Sequence, residues 1–377
     1  MALRLPRLRL RKLSAPVVVA IGFVCFALAV WVGGPLTGND TLSTWWLRAL
    51  VIGIAALIIG IVAFFRWRRR RRAAEGLEDA ILPETPTGDA QVLEERMRTA
   101  LDKLKKSGGR TYLYDLPWYV IVGPPGAGKT TALVNAGIDF KVKGEDGGGL
   151  GGFGGTRACE WWFAEDAILI DTAGRYTTQE SDRGADAASW TSFLSLLKKA
   201  RPKQPINGVL LAFSTEDLMT AGSDRLQIHA ETIRTRLSEI HDILQVDFPV
   251  YVLFTKADLI SGFREYFARF SEERRQAVWG ATFQTKDRKA TTFEQVPEEF
   301  DKLVTRLSDE VIDRMNEELD GSARIAIFNF PGQMALLRDQ MADFLRKVFE
   351  PSTHQSNAIL RGFYFTSGTR EGTPIDQ

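Results

Sequence analysis

Trp118-Tyr119-Val120-Ile121-Val122 runs directly into Gly123-Pro124-Pro125-Gly126-Ala127-Gly128-Lys129-Thr130, and Thr131-Ala132-Leu133-Val134 follows. The first five residues are aromatic and β-branched, the composition of a buried strand. The next eight fit G-x-x-x-x-G-K-[ST], and the last run reads as the start of a helix. Strand, glycine-rich loop and helix in that order are the context this pattern needs. The glycines let backbone N–H groups converge on a phosphate without a Cβ in the way, and the helix N-terminus adds its dipole. Gly123, Pro124, Pro125, Gly126, Ala127, Gly128, Lys129, Thr130 and Thr131 are therefore candidate nucleotide contacts. Lys129 is the candidate for reaching the outer phosphates during reaction, and Thr130 for holding Mg²⁺.

Two downstream segments extend the reading. Ala167-Ile168-Leu169-Ile170-Asp171-Thr172-Ala173-Gly174 is a buried strand ending in an acid and a tight turn. Asp171 is a candidate for approaching Mg²⁺ through water, and the Gly174 N–H for meeting a γ-phosphate. Val250 to Phe254 is another apolar strand, followed by Thr255-Lys256-Ala257-Asp258. That tetrapeptide matches the T/N-K-x-D base-recognition motif of GTPases. The Asp258 carboxylate is able to accept from guanine N1–H and N2–H₂ together, a pair that adenine lacks. The Lys256 stem is able to cover the base. Thr255 stands where Asn is more common. The expected ligand is GTP or ATP with Mg²⁺, GTP being favoured.

Between the first two elements, Gly144 to Gly155 holds eight glycines in twelve residues, a stretch costly to order in isolation. It ends at Thr156, the candidate switch threonine for Mg²⁺ and catalysis. Cys159 to Phe163 reads as a strand paired with 167–171 through a turn at Ala164-Glu165-Asp166. Directly after D-x-A-G, where Ras-like enzymes carry Gln, this chain has Arg175, the candidate for stabilising charge in a transition state. Gln179 is a more distant candidate for positioning water.

Further strands are expected at Gly208 to Phe213, Arg324 to Phe330 and Gly362 to Thr366. Helices are expected at 92–106, Thr220 to Gln245, Phe263 to Val278, Phe300 to Leu319 and Met334 to Phe349. Gly280-Ala281-Thr282 is the expected loop touching the base. Strand–helix alternation predicts an α/β fold, a three-layer phosphate-loop domain with a mostly parallel sheet.

The chain's 377 residues divide by charge. Residues 1–72 carry twelve Lys/Arg against Asp40 alone, whereas the remainder carries 36 basic and 46 acidic residues. That acidic excess argues against nucleic acid as the main partner. Two cysteines and three histidines argue against a disulfide scaffold and a His-rich metal centre. Residues 15–32 and 49–65 are free of charge, the second run extending outward to about residue 47. Each is about long enough to cross roughly 30 Å of hydrocarbon. Arg4 to Lys12 and Arg66 to Arg72 flank the pair, so the positive-inside rule predicts a transmembrane hairpin over 1–72 with both flanks cytoplasmic. The Arg run is also able to bind anionic lipid headgroups. A linker and helix over 73–110, a nucleotide domain over 111–290 and a helical or mixed extension over 291–377 complete the expected organisation.

GPPGAGKTTAL, GGTRACEWWF, AILIDTAGRYTTQ, FPGQM and LRGFYFTSGTREGTPID, behind two apolar spans, resemble the IcmF/TssM family, bacterial inner-membrane core components of type VI secretion systems. The resemblance covers essentially the whole chain. It implies a multi-pass inner-membrane protein whose GTPase-like domain is cytoplasmic, and a longer chain with a third span and a periplasmic region. It also implies partners: a TssL/DotU-type membrane protein, the TssJ lipoprotein through the periplasmic part, baseplate components, and further copies in an oligomeric complex. Two functional readings stay open. One is a nucleotide-hydrolysing switch, favoured by intact Lys129, Thr130 and Asp171. The other is an assembly scaffold with a structurally bound nucleotide, favoured by Arg175 in place of Gln. A signal-recognition-type GTPase is opposed by the 42-residue spacing from Lys129 to Asp171, which leaves no room for that group's inserted helices.

Overall fold

The computed structural model describes residues 92–99, 116–138, 140, 159–178, 183–271, 274, 277–284, 291–351 and 358–367, and from the first 72 residues only 27–28, 31, 46, 49–57 and 60–61. The chain divides into two units, Met1–Arg72 and Ala73–Gln377. In the first unit every described residue is helical, and Leu28, Trp31, Leu50, Ile54, Leu57 and Ile61 all face outward. Among the described residues no helix is long and apolar enough to cross a membrane. Most of the run at 15–32, and both ends of the run at 47–65, fall outside the described residues.

The second unit is built on a seven-stranded sheet. Its strands are β1 (Trp118–Val122), β2 (Cys159–Phe163), β3 (Ile168–Thr172), β4 (Gly208–Ser214), β5 (Pro249–Thr255), β6 (Gly280–Thr282) and β7 (Ile359–Phe365), in the spatial order β2-β3-β1-β4-β5-β7-β6. The five inner strands are parallel, and β2 and β6 close the two edges antiparallel. Period-two alternation sorts side chains between the faces. Trp118, Val120 and Val122 join one large core cluster, while Ile121 joins a small one with Leu133, Trp162 and Leu169. Leu93 and Met97, on the helix at 92–99, are buried in the large cluster, and Arg96 Nη1 donates to the Cys159 carbonyl at 2.9 Å.

The helices that bear on the site are α1 (Lys129–Val134), α2 (Gly174–Thr178), α3 (Arg183–Ala200), α4 (Thr215–Thr220), α5 (Ser223–Leu244), α6 (Phe263–Phe267), α7 (Val296–Glu317), α8 (Gly321–Ala335) and α9 (Arg338–Phe349). Most feed the large cluster: Leu226, Ile233, Leu237, Ile240 and Leu244 of α5 are all buried, and Phe344 of α9 stacks on Phe213 of β4 at 4.3 Å. On the opposite face, among the described residues, α1 is the helix that contributes, and Tyr119, Tyr251 and Tyr364 form a half-buried row.

Three expectations are corrected. Residues 324–330 are helical rather than extended. Asp320 caps α8 by accepting from the Ala323 N–H at 2.8 Å, and the buried set Ile327, Phe330, Pro331 and Met334 has helical spacing. Exposed Ile325 and Phe328 complete an unbroken apolar run with Ala326 and Ile327, which reads as a buried strand. The single helix expected from Phe263 to Val278 is interrupted: it ends at Phe267, residues 268–271 are turn or coil, and residue 274 is again helical. The boundary at residue 290 cuts through the sheet, because β7 lies between β5 and β6. Residues 111–290 by themselves leave β5 without its outer neighbour.

Candidate phosphate and base site

All five parallel strands end on one edge, and the strand order reverses at β1, whose neighbours are β3 and β4. Open α/β sheets bind ligands in the crevice beyond such a reversal. The loop Gly123 to Gly128 leaves β1 there and delivers Lys129 to the first turn of α1, with Gly128 at φ 69° as its N-cap. A Cβ on Gly123 would come within 2.2 Å of the Ala212 carbonyl oxygen, and one on Gly174 within 2.5 Å of the Pro125 nitrogen. Only glycine permits these two close approaches.

Lys129 is buried at 7% exposure and donates from Nζ to the Gly123 carbonyl at 2.8 Å and the Pro124 carbonyl at 3.0 Å. Burial pushes its ammonium down to about 8, against the opposing pull of Asp171. Thr130 Oγ1 donates to Asp171 Oδ2 at 2.5 Å, and Asp171 is fully buried at the end of β3. A hydroxyl and a carboxylate held together under a glycine-rich loop are hard oxygen donors suited to Mg²⁺. Pro125, Gly126 and Thr131 are exposed, whereas Gly123, Pro124 and Ala127 are buried.

At the other end of the edge, Thr255 Oγ1 donates to the Ala127 carbonyl at 2.7 Å and reaches the Phe213 carbonyl at 3.3 Å. The threonine thus ties this motif to the phosphate loop. Lys256, at φ 56°, pairs with Glu216 of α4 at 2.9 Å. Asp258 Oδ1 accepts from Ser367 Oγ at 2.7 Å. Backbone bonds lock the two segments together, Ala257 N to the Thr366 carbonyl at 3.2 Å and Thr366 N to the Phe254 carbonyl at 2.9 Å. The expected base loop, Gly280 to Thr282, is instead edge strand β6, hydrogen-bonded to β7. The companion of Asp258 is Ser367, which the sequence reading missed. Its one signal is a Thr-Ser pair directly after an apolar strand.

Arg175 is committed elsewhere. Its Nε lies 3.3 Å from Asp186 Oδ1 on α3, a nearly buried carboxylate, and its guanidinium sits 5.3 Å from the Tyr176 ring centroid. Thr156 and Gln179 lie outside the described residues. The structure therefore brings together Lys129, Thr130, Asp171, Gly174 and Thr255 around one loop, with Asp258 further along the same edge.

A mostly parallel α/β sheet carrying a glycine-rich loop, a buried lysine and a threonine–aspartate pair where its strand order reverses defines the class of protein. Residues 183–377 match the IcmF-related N-terminal domain, and the chain belongs to the IcmF-related family. It is 46% identical over 292 residues to the type VI secretion system component TssM1 of Pseudomonas aeruginosa, covering 76% of this chain and 26% of that protein. The chain thus spans about a quarter of the length of that curated relative. Among solved structures, it overlaps a signal recognition particle receptor SRb-GTP/SRX complex from Chaetomium thermophilum at TM-score 0.25 and 18% identity, over 42% of this chain and 84% of that one. It overlaps a GTP-binding protein from Sulfolobus solfataricus in complex with GDP at TM-score 0.22 and 18% identity, over 46% and 52%.

Proposed function

We propose that the second unit is a GTPase-like domain that binds a nucleoside triphosphate with Mg²⁺, guanine in preference to adenine, and hydrolyses it as a switch in the assembly or activation of a type VI secretion complex. The observation that carries this reading is the Thr130–Asp171 contact beneath the phosphate loop, at the reversal of strand order. The residues fit such a ligand: two glycines lie where any Cβ would collide with backbone, and Lys129 is held inside the loop with protons to donate. Lys129 would hold the outer phosphates, Thr130 and Asp171 would hold Mg²⁺ with Thr156 as a further ligand, and the Gly174 N–H would face the terminal phosphate. Asp258, steadied by Ser367, would accept from the guanine edge. Bound Mg²⁺ would supply charge neutralisation at the phosphates. Titration of the full chain with GTP, ATP and XTP, with and without Mg²⁺, tests the reading. Tight Mg²⁺-dependent binding of GTP supports it, and absence of nucleotide binding overturns it.

One observation favours a second reading, a scaffold with a structurally bound nucleotide and little hydrolysis. Using Arg175 in catalysis means drawing it from a nearly buried carboxylate, a costly separation. Single-turnover hydrolysis decides between the two readings.

The first unit supports membrane insertion at the bacterial inner membrane, since outward-facing Leu50, Ile54, Leu57 and Ile61 suit hydrocarbon rather than water. The partners proposed are those of the family: a TssL/DotU-type membrane protein, TssJ, baseplate components, lipid and further copies of the chain. In the proposed topology, a cysteine placed at Asn39 is labelled by an impermeant periplasmic reagent and one placed at Thr87 is not. The opposite pattern refutes it.

A further inference from the structure

Thr177 makes a buried contact with the first residue of the phosphate loop. Its hydroxyl accepts from the Gly123 N–H at 3.2 Å, across 54 residues of chain, and the side chain is 3% exposed. Gly123 opens the phosphate loop, and its carbonyl takes the Lys129 ammonium at 2.8 Å. One residue is therefore gripped from both sides, its N–H by α2 and its C=O by Lys129. Three residues before Thr177, about one helical turn, Gly174 packs against the backbone of Pro124 and Pro125. The short helix α2 thus lies along the first three residues of the loop, touching them at Gly174 and Thr177. Its other side is fixed to α3. Tyr176 is buried against Trp190, with ring centroids 6.4 Å apart, and Arg175 pairs with Asp186. A segment held this way passes a displacement at one end to the other as a rigid body.

We propose that Thr177 is a positioning residue that couples the turn at Gly174 to the orientation of Gly123 and Lys129, so that the loop holds nucleoside triphosphate and diphosphate with different strength. The inference rests on the phosphate-loop reading. Gly174 is the group on α2 nearest the loop where a terminal phosphate would add contacts. Because the Gly123 N–H is engaged by Thr177, its part is to set the angle of the residue that carries the Lys129 anchor.

The test compares Thr177→Val, which keeps the shape and removes the hydroxyl, with Thr177→Ser, which keeps the hydroxyl. Affinities of the full chain for GTP, GDP, ATP and ADP with Mg²⁺ give a triphosphate-to-diphosphate ratio for each base. Thr177→Val is expected to lower that ratio by about three- to tenfold, the worth of one buried hydrogen bond, and Thr177→Ser to restore it. In nucleotide-free protein, hydrogen exchange at the Gly123 amide is expected to accelerate in Thr177→Val alone. A loss of affinity shared equally by tri- and diphosphates, with the ratio unchanged, overturns the coupling. So does a Thr177→Ser chain that behaves like Thr177→Val. If Thr177→Val does not fold, Thr177→Ala carries the same comparison. Lys129→Ala is the control for the underlying reading: if it binds all four nucleotides as tightly as the parent, the phosphate-loop assignment itself fails, whatever Thr177 does.

Discussion

The proposed phosphate end and the proposed base end of the sheet edge are built differently. At the phosphate end, most of the groups come from one continuous run, Gly123 to Thr130, with Asp171 on the neighbouring strand and both charged side chains buried. At the base end, Asp258 depends on Ser367, 109 residues later in the chain, and its Lys256 neighbour is half exposed. Buried charge-assisted contacts are worth more than exposed ones, because solvent screens the latter. Affinity should therefore reside in the phosphate end, and discrimination between bases in the other.

The largest expected effect comes from Lys129→Ala, which should weaken nucleotide binding by about ten- to more than a hundredfold with the fold intact. Calorimetric titration measures the loss and a melting curve checks the fold. Titration with pH sharpens the same point. Lys129 is pushed down to about 8 from an ordinary 10.5, so the folded chain binds fewer protons than the unfolded one between those values. Its contribution to stability therefore rises with pH across that window. Phosphate binding needs the charged form, so nucleotide affinity should fall as pH rises past about 8. Lys129→Ala should remove that dependence.

Next in size, Asp171→Asn should abolish most of the gain in affinity that Mg²⁺ provides, about tenfold, without changing the preference between bases. Affinities measured with Mg²⁺ and with EDTA give the difference. If base preference moves with it, the two ends are not separable.

Asp258→Asn should shift preference from GTP toward XTP, whose C2 oxygen accepts from the new amide. Ser367→Ala should weaken GTP by about threefold and leave phosphate-only ligands such as pyrophosphate unaffected. Equal loss for GTP and pyrophosphate would place Ser367 in general support of the edge. The smallest effect belongs to Glu216→Gln. Its pairing with Lys256 is half exposed, so affinity should change by about twofold or less.

The same contrast governs what could be read in advance. Strands β1, β3, β4 and β5 and the phosphate loop are legible because each is a local pattern: an apolar run with a motif attached. Thr255 was legible as a residue, but its bond to the Ala127 carbonyl was not, since nothing local signals a contact across 128 residues. Ser367 is hidden for the same reason, and chain order alone points to Gly280 to Thr282 instead. Helix α8 is hidden because exposed Ile325 and Phe328 complete an apolar run that resembles a buried strand, while the Asp320 cap that starts it is a single residue. Arg175 was read from its position after D-x-A-G, whereas its setting is decided by Asp186 on a different helix.

The place of β7 between β5 and β6 has a consequence for biosynthesis. On a ribosome, β5 is finished long before β7 emerges, and β6 has, among the described residues, no other strand to pair with. Through that interval the nascent domain carries the open edge of an apolar parallel strand, a hazard for mispairing. Pairings between distant segments are also slow to form. The domain should become protease-resistant only once the chain has been synthesised past Ser367, when the last strand closes the sheet and Asp258 gains its hydroxyl partner in the same event.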